Sequence, residues 1–144
     1  MADHVTLSKE LEESLVEYAK KAMKNSYSPY SHFQVGAALL TSDGNIYMGC
    51  NVENSSYGAT NCAERTAFYK AVSEGHHSFY AIAIVGGERG NITGICTPCG
   101  ICRQVMREFC DENFIILLGN SQGYKRYTLG DMLPYSFSLL GPNG

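Results

Sequence analysis

Two apolar runs, residues 79–85 and 114–118, flank a segment that reads as a helix from Pro98 to about Phe109. A strand that leads through a helix into a second strand pairs with it in parallel, by a right-handed crossover. One mixed sheet covered by helices is the natural architecture for such a unit. Pro98 suits a first helical turn, where its missing N–H has no carbonyl partner.

The remaining segments supply the rest of the sheet and its cover. Residues 7–23 place Leu7, Leu11, Leu15, Ala19, Ala22 and Met23 at helical spacing. Glu10, Glu12, Glu13 and Glu17 on that helix read as a solvated face rather than an acid/base site. A run of turn formers from Asn25 to Ser31 ends it. Residues 33–41 and 46–51 are apolar runs around Ser42-Asp43-Gly44-Asn45, and Asp-Gly favours the positive φ of a tight hairpin turn. A polar loop covers residues 52–61, and a helix over residues 62–74 is closed by Gly75. Residues 86–97 have no phosphate-loop spacing and read as plain loop. Residues 124–128 make a fifth strand, and the tail from Leu129 reads as short and irregular. The expected architecture is α/β, one mixed sheet covered by helices, in a single domain over residues 1–144.

Composition sets limits on partners. The chain has 144 residues, 44% hydrophobic and 17% charged, which excludes a disordered or collagen-like chain. Its net charge of −3 and its scattered Lys and Arg leave no electrostatic footprint for nucleic acid. No stretch approaches the roughly 20 apolar residues of a membrane span. The first residues, Met1 to Thr6, show no secretory signal, so the expected location is the cytoplasm. There, six cysteines serve metal binding or chemistry more often than disulfides.

The cysteines fall into a pattern. Cys62-Ala63-Glu64 and Pro98-Cys99-Gly100-Ile101-Cys102 both sit at predicted helix starts. Cys99 and Cys102 share one helix face, and Cys62 from a second helix makes three thiolates. Three protein ligands leave the fourth tetrahedral position of zinc open, which is the catalytic arrangement. Glu64, two residues past Cys62, stands where a carboxylate can work as general acid/base without binding the metal. Three thiolates over-donate to a zinc ion. Two helix N-termini, each carrying about half a positive charge, oppose that. So would Arg65 and Arg103, which lie three residues past Cys62 and one past Cys102 and can bond thiolate sulfur.

Other readings of these cysteines stay open at this level. CxxC also fits two buried, unreactive thiols. Cys96, Cys99 and Cys102 resemble the start of an iron–sulfur run, but Cys110 follows too late and without the proline. A closed structural zinc site with Cys96 as fourth ligand needs an awkward loop and helix geometry. Cys50, Cys96 and Cys110 read as core or surface thiols.

Longer motifs carry a resemblance. Ser28-Pro29-Tyr30-Ser31-His32-Phe33-Gln34-Val35-Gly36-Ala37-Ala38-Leu39, Gly49-Cys50-Asn51-Val52-Glu53-Asn54, Cys62-Ala63-Glu64-Arg65-Thr66-Ala67 and Pro98-Cys99-Gly100-Ile101-Cys102-Arg103-Gln104 resemble the small homotetrameric cytidine deaminases, as does Leu133-Pro134-Tyr135-Ser136-Phe137. The cysteine pattern is a variant of the zinc deaminase signature, whose chemistry is well described. The resemblance implies an α/β fold, a three-layer α/β/α sandwich with one mixed five-stranded sheet, and hydrolytic deamination of cytidine and deoxycytidine in pyrimidine salvage, with one zinc per chain. It implies that Cys62, Cys99 and Cys102 bind zinc and that Glu64 shuttles protons. Ala63 would bond the base through its N–H, and Phe33 would pack on the pyrimidine. Asn51 and Glu53 would bond the ribose 3′-hydroxyl. Tyr57 and Phe137 would reach the site of a neighbouring subunit. Ser55 departs from the usual Ala, and the tail after Phe137 matches nothing in the pattern. A blasticidin-type deaminase, with the same zinc chemistry on a bulkier nucleoside, is the related alternative.

Overall fold

In the computed structural model, which describes residues 7–140, five strands form one sheet in the order β2-β1-β3-β4-β5. The strands are β1 (Phe33–Thr41), β2 (Ile46–Cys50), β3 (Phe79–Glu88), β4 (Ile115–Asn120) and β5 (Gly123–Thr128). β3 and β4 run parallel and the other pairs antiparallel, so the sheet is mixed as expected. Helix α1 (Lys9–Met23) covers one face, and α2 (Ala63–Ser73), α3 (Gly100–Phe109) and α4 (Leu129–Met132) cover the other.

Alternation along the strands builds the two cores. On β1, Ala37 and Leu39 face α2 and α3, while Ala38 and Leu40 face α1. On β3, Ile82 and Ile84 take the first side and Ala81, Ala83 and Val85 the second. This is the period of two that places successive side chains on opposite faces. Two glycines let helices approach the sheet closely. A Cβ on Gly36 would lie 2.0 Å from the Ala19 carbonyl oxygen of α1, and one on Gly49 would lie 2.5 Å from that of Ala63 at the start of α2.

Several expectations need correction. β3 does not stop at Val85 but runs on through Glu88, because Phe33, Gln34 and Val35 offer it a paired partner. The Gly-rich segment is therefore partly strand. Pro98 does not open α3. Cys99 is the N-cap, its sulfur accepting from the Cys102 N–H at 3.4 Å, and Pro98 precedes it. Similarly α1 begins after Ser8, whose hydroxyl accepts from the Leu11 N–H at 3.1 Å. The segment after β5 is not irregular. Thr128 and Asp131 form a reciprocal capping box that starts α4. Nor is Glu12 solvated: it is buried, accepting from Tyr124 at 2.9 Å and pairing with Arg126 at 3.2 Å, which ties α1 to β5. In the β1–β2 turn only Gly44 takes the positive φ, at 94°. Met1 to Thr6, and the last four residues of the tail, lie outside the described residues.

Candidate active site

The starts of α2 and α3 meet, with α2 packed against β1 and β2. Cys62 is the N-cap of α2, and Cys99 and Cys102 lie at the cap and third position of α3. Their sulfur atoms lie within 4.8 Å of one another, with Cys62 and Cys99 3.6 Å apart. Sulfurs bound tetrahedrally to one zinc at about 2.3 Å would sit about 3.8 Å apart, so the cluster has the dimensions of a zinc site. Three soft donors at two helix N-termini also suit that ion chemically. Cys96 is not in the cluster, so among the described residues no closed four-cysteine site forms. All six cysteines are free.

Arg65 and Arg103 part company. Arg65 donates from Nη2 to the Cys62 sulfur at 3.2 Å, and its Nε is buried without a hydrogen-bond partner. The bonds of Arg103 go to backbone carbonyls instead, to Pro98 at 2.7 Å and to Met132. Arg103 thus pins the turn that carries Cys99 to the end of α4. The expected contact to sulfur is made by Arg65.

The thiols perturb one another. Interaction with Cys102, then the Arg65 hydrogen bond, lowers the Cys62 thiol to about 5 against the effect of burial. The same interaction and burial push Cys102 well up. Burial holds the Cys96 thiol high, at about 12, which suits an unreactive core position.

Glu64, the second residue of α2, is only 4% exposed. Burial raises its carboxyl to about 7, with the Cys62 charge adding to the shift. A carboxyl poised near neutrality can both take and give a proton. Ala63, the first residue of α2, is fully buried. Its N–H is one of those that a helix cannot satisfy internally.

The polar residues after β2 are more committed than their sequence suggests. Asn51 Oδ1 accepts from the Val35 N–H at 2.9 Å and from the Ser26 hydroxyl, and Nδ2 donates to the Phe33 carbonyl at 2.8 Å. Both lone pairs of Oδ1 are taken, leaving one N–H to give. Glu53 Oε1 accepts from the Tyr30 N–H at 3.0 Å and the Ser31 N–H at 3.1 Å, and Oε2 accepts from the Ser31 hydroxyl. One acceptor position remains, on Oε2. The pair therefore offers one donor and one acceptor, which suits a hydroxyl group, itself both. The Ser31 hydroxyl, foremost among these bonds, holds the Glu53 carboxyl below its ordinary range.

Phe33 is 39% exposed. Its ring edges a hollow of about 480 Å³ lined also by Gly86–Arg89 and Asn91. A second hollow of about 430 Å³ is lined by Tyr30, Ser31, Glu53, Tyr57 and Thr60. Tyr57 and Phe137 remain 76% and 67% exposed. Tyr57 meets the Tyr30 ring edge-on at 6.0 Å, and the Phe137 carbonyl accepts from Gln104 at 3.1 Å. Ser55 bonds the Tyr30 hydroxyl at 2.7 Å. Ser26, Ser31 and Thr66 emerge only from the structure. Thr66 donates to the Cys50 carbonyl at 3.0 Å, joining α2 to β2. Their sequence setting, a serine-rich turn and a helix interior, gives no sign of these bonds.

Comparison with known proteins agrees with this geometry. Residues 9–118 match the family described as the cytidine and deoxycytidylate deaminase zinc-binding region. The chain is 51% identical to a cytidine deaminase of Sporosarcina psychrophila over 127 residues, 88% of this chain and 90% of that one. A solved cytidine deaminase from Burkholderia pseudomallei superposes with a TM-score of 0.80 at 45% identity, covering 91% of this chain and 100% of the other. The blasticidin-S deaminase of Bacillus cereus is more distant, at 29% identity over 128 residues. With three thiols gathered at zinc-site spacing and a buried carboxyl beside them, on the fold of these relatives, the chain belongs to the cytidine and deoxycytidylate deaminase zinc-binding family.

Proposed function

We propose that this chain is a cytidine deaminase, converting cytidine and deoxycytidine with water into uridine and deoxyuridine plus ammonia. The observation that carries the reading is the buried Glu64 carboxyl, two residues past a cysteine whose sulfur meets two others within 4.8 Å. Cys62, Cys99 and Cys102 would hold one zinc ion per chain. Bound there, zinc supplies Lewis acidity that makes water a nucleophile near neutral pH.

The protein's own groups do the rest. Glu64 takes a proton from the attacking water and passes it to ring N3 as the new C4–O bond forms. It then carries the second proton to the amino group, which leaves as ammonia when the C4–N bond breaks. Arg65 balances the charge of the Cys62 thiolate. Arg103 acts at one remove, holding the turn that presents Cys99. The Ala63 N–H bonds the base and the Phe33 ring packs on it. Asn51 and Glu53 bind the ribose 3′-hydroxyl with the donor and acceptor they have left.

The chain works as a single catalytic domain over residues 1–144, in the cytoplasm and in pyrimidine salvage. It assembles as a homotetramer in which Tyr57 and Phe137 complete a neighbour's pocket. Their exposure in the single chain supports that reading. Among the described residues no helix is long and apolar enough to cross a membrane. The test is the loss of cytidine absorbance on adding purified protein, with and without a zinc chelator, beside the same assay on blasticidin S. Chelator-sensitive turnover of cytidine well above that of blasticidin S is the expected result, and no turnover of cytidine by the zinc-loaded protein refutes the proposal.

A further inference from the structure

The turn before β1 is held in an unusual way. His32 takes a left-handed backbone, φ 59°, although it is not glycine. Such a conformation is costly and persists only where its surroundings enforce it. Here the His32 N–H donates to the Ser28 carbonyl at 3.0 Å, and the His32 carbonyl accepts from the Arg89 N–H at 2.6 Å. The next residue, Phe33, donates its N–H to the Ser31 hydroxyl oxygen at 3.0 Å. That same hydroxyl donates its proton to Glu53 Oε2. One oxygen atom thus joins the backbone of Phe33 to the carboxylate of Glu53.

We propose that Ser31 is a positioning residue for sugar recognition, its hydroxyl setting which lone pair of Glu53 faces the substrate and coupling that carboxylate to the backbone carrying Phe33. The proposal rests on the reading that Glu53 binds the 3′-hydroxyl and Phe33 the base. Oε1 is saturated by the Tyr30 and Ser31 N–H groups, so any substrate hydroxyl must use Oε2. Oε2 has two acceptor positions, and the Ser31 hydroxyl occupies one. Without it, the carboxylate keeps its two backbone bonds but its outer oxygen presents two equivalent acceptors to water. The Phe33 N–H loses its acceptor in the same step. The lowered carboxyl pKa of Glu53, owed first to the Ser31 hydroxyl, is consistent with a strong bond between them.

The experiment compares Ser31→Ala with the unmodified chain, as zinc-loaded enzymes, on cytidine and on 3′-deoxycytidine. A bond to a charged group that positions a contact predicts a fall in kcat/KM for cytidine of about tenfold or more, carried mainly by KM. For 3′-deoxycytidine, which lacks the group that Glu53 would bind, the fall should stay below about threefold. Equal penalties on the two substrates would overturn the proposal and make Ser31 a purely structural residue. Glu53→Gln, run in parallel, separates the two layers of argument. If the unmodified chain distinguishes the substrates and Glu53→Gln abolishes the distinction, the sugar-contact reading stands whatever Ser31 does. If the unmodified chain does not distinguish them, that reading falls and the role of Ser31 falls with it.

Should Ser31→Ala fail to fold, amide exchange in the unmodified chain decides. Saturating uridine should slow exchange of the Phe33 N–H more than saturating 3′-deoxyuridine does, because only the former engages Glu53 Oε2. Identical slowing by both ligands overturns the coupling.

Discussion

At the scale of single residues, burial and partner count assign the roles. Glu64 and Glu53 are both glutamates, yet their environments drive them apart. Burial raises Glu64 to about 7, while hydrogen bonds led by the Ser31 hydroxyl lower Glu53. A proton carrier has to change charge during the reaction, and a hydroxyl-binding carboxylate has to keep it. If Glu64 is the carrier and not a ligand, Glu64→Ala should retain one zinc per chain and the native fold while turnover drops by roughly 10⁴. Metal analysis beside steady-state kinetics checks this. Loss of zinc from the variant, or near-normal turnover, contradicts the role. Among the arginines, it is the buried Nε of Arg65, without a hydrogen-bond partner beside the sulfur cluster, that marks it as the one facing the charge.

At the scale of elements, the site depends on how closely α2 sits on the sheet. Gly36 and Gly49 both admit a helix backbone, but on opposite faces and to different ends. A Cβ at Gly36 would collide with α1 at Ala19 and Met23, on the opposite face of the sheet from α2 and α3. A Cβ at Gly49 would collide with the Ala63 carbonyl at 2.5 Å and the Ala67 N at 2.6 Å, which is the first turn of the helix that carries Cys62 and Glu64. Both Gly→Ala changes overpack backbone and should cost about 1–3 kcal/mol or more in urea unfolding. Their kinetics should differ. Gly36→Ala should keep kcat within about threefold per folded molecule, whereas Gly49→Ala should lose tenfold or more, because a small displacement of catalytic groups is expensive. Equal kcat losses in the two variants would show that α2 adapts without moving the site.

At the scale of the whole molecule, the single chain leaves aromatic and aliphatic surface uncovered around the Glu53 hollow and the tail. Tyr57 and Phe137 are joined by Tyr135, Leu139 and Leu140, all largely exposed. Burying a side chain of this size is worth about 1.5–3 kcal/mol, so together they favour a partner surface. With shared sites, Phe137→Ala lacks the ring it gives its neighbour, and Glu64→Ala lacks its own proton carrier while still donating Phe137. Each variant alone should be nearly inactive. Unfolding and refolding the two together should restore part of the activity, because some sites would combine an intact Glu64 with a donated Phe137. A tag on one partner verifies mixing. Verified mixed oligomers with no more activity than the separate variants would refute the shared site.

Periodicity and turn chemistry are local, and what they encode is legible in the chain itself: five strands, the three long helices and the parallel β3–β4 unit. The spacing of Cys99 and Cys102 and the placement of Cys62 before a helix likewise single out three thiols. Local signals do not show where a strand ends when its partner extends it, so β3 runs on through Gly86 and Gly87 against β1. Nor do they separate Arg65, three residues past Cys62, from Arg103, one residue past Cys102, since only packing aims one at sulfur and the other at the carbonyls of Pro98 and Met132. The lone pairs left on Asn51 and Glu53 were decided in the same way, by donors from residues 16 to 25 positions away for Asn51 and 22 to 23 for Glu53. The sequence by itself determined which elements form and which residue types carry the chemistry, because those depend on neighbours a few positions apart. Only the tertiary structure decided which polar atoms remain available to a substrate, because a hydrogen bond between distant segments exists only once the chain has brought them together.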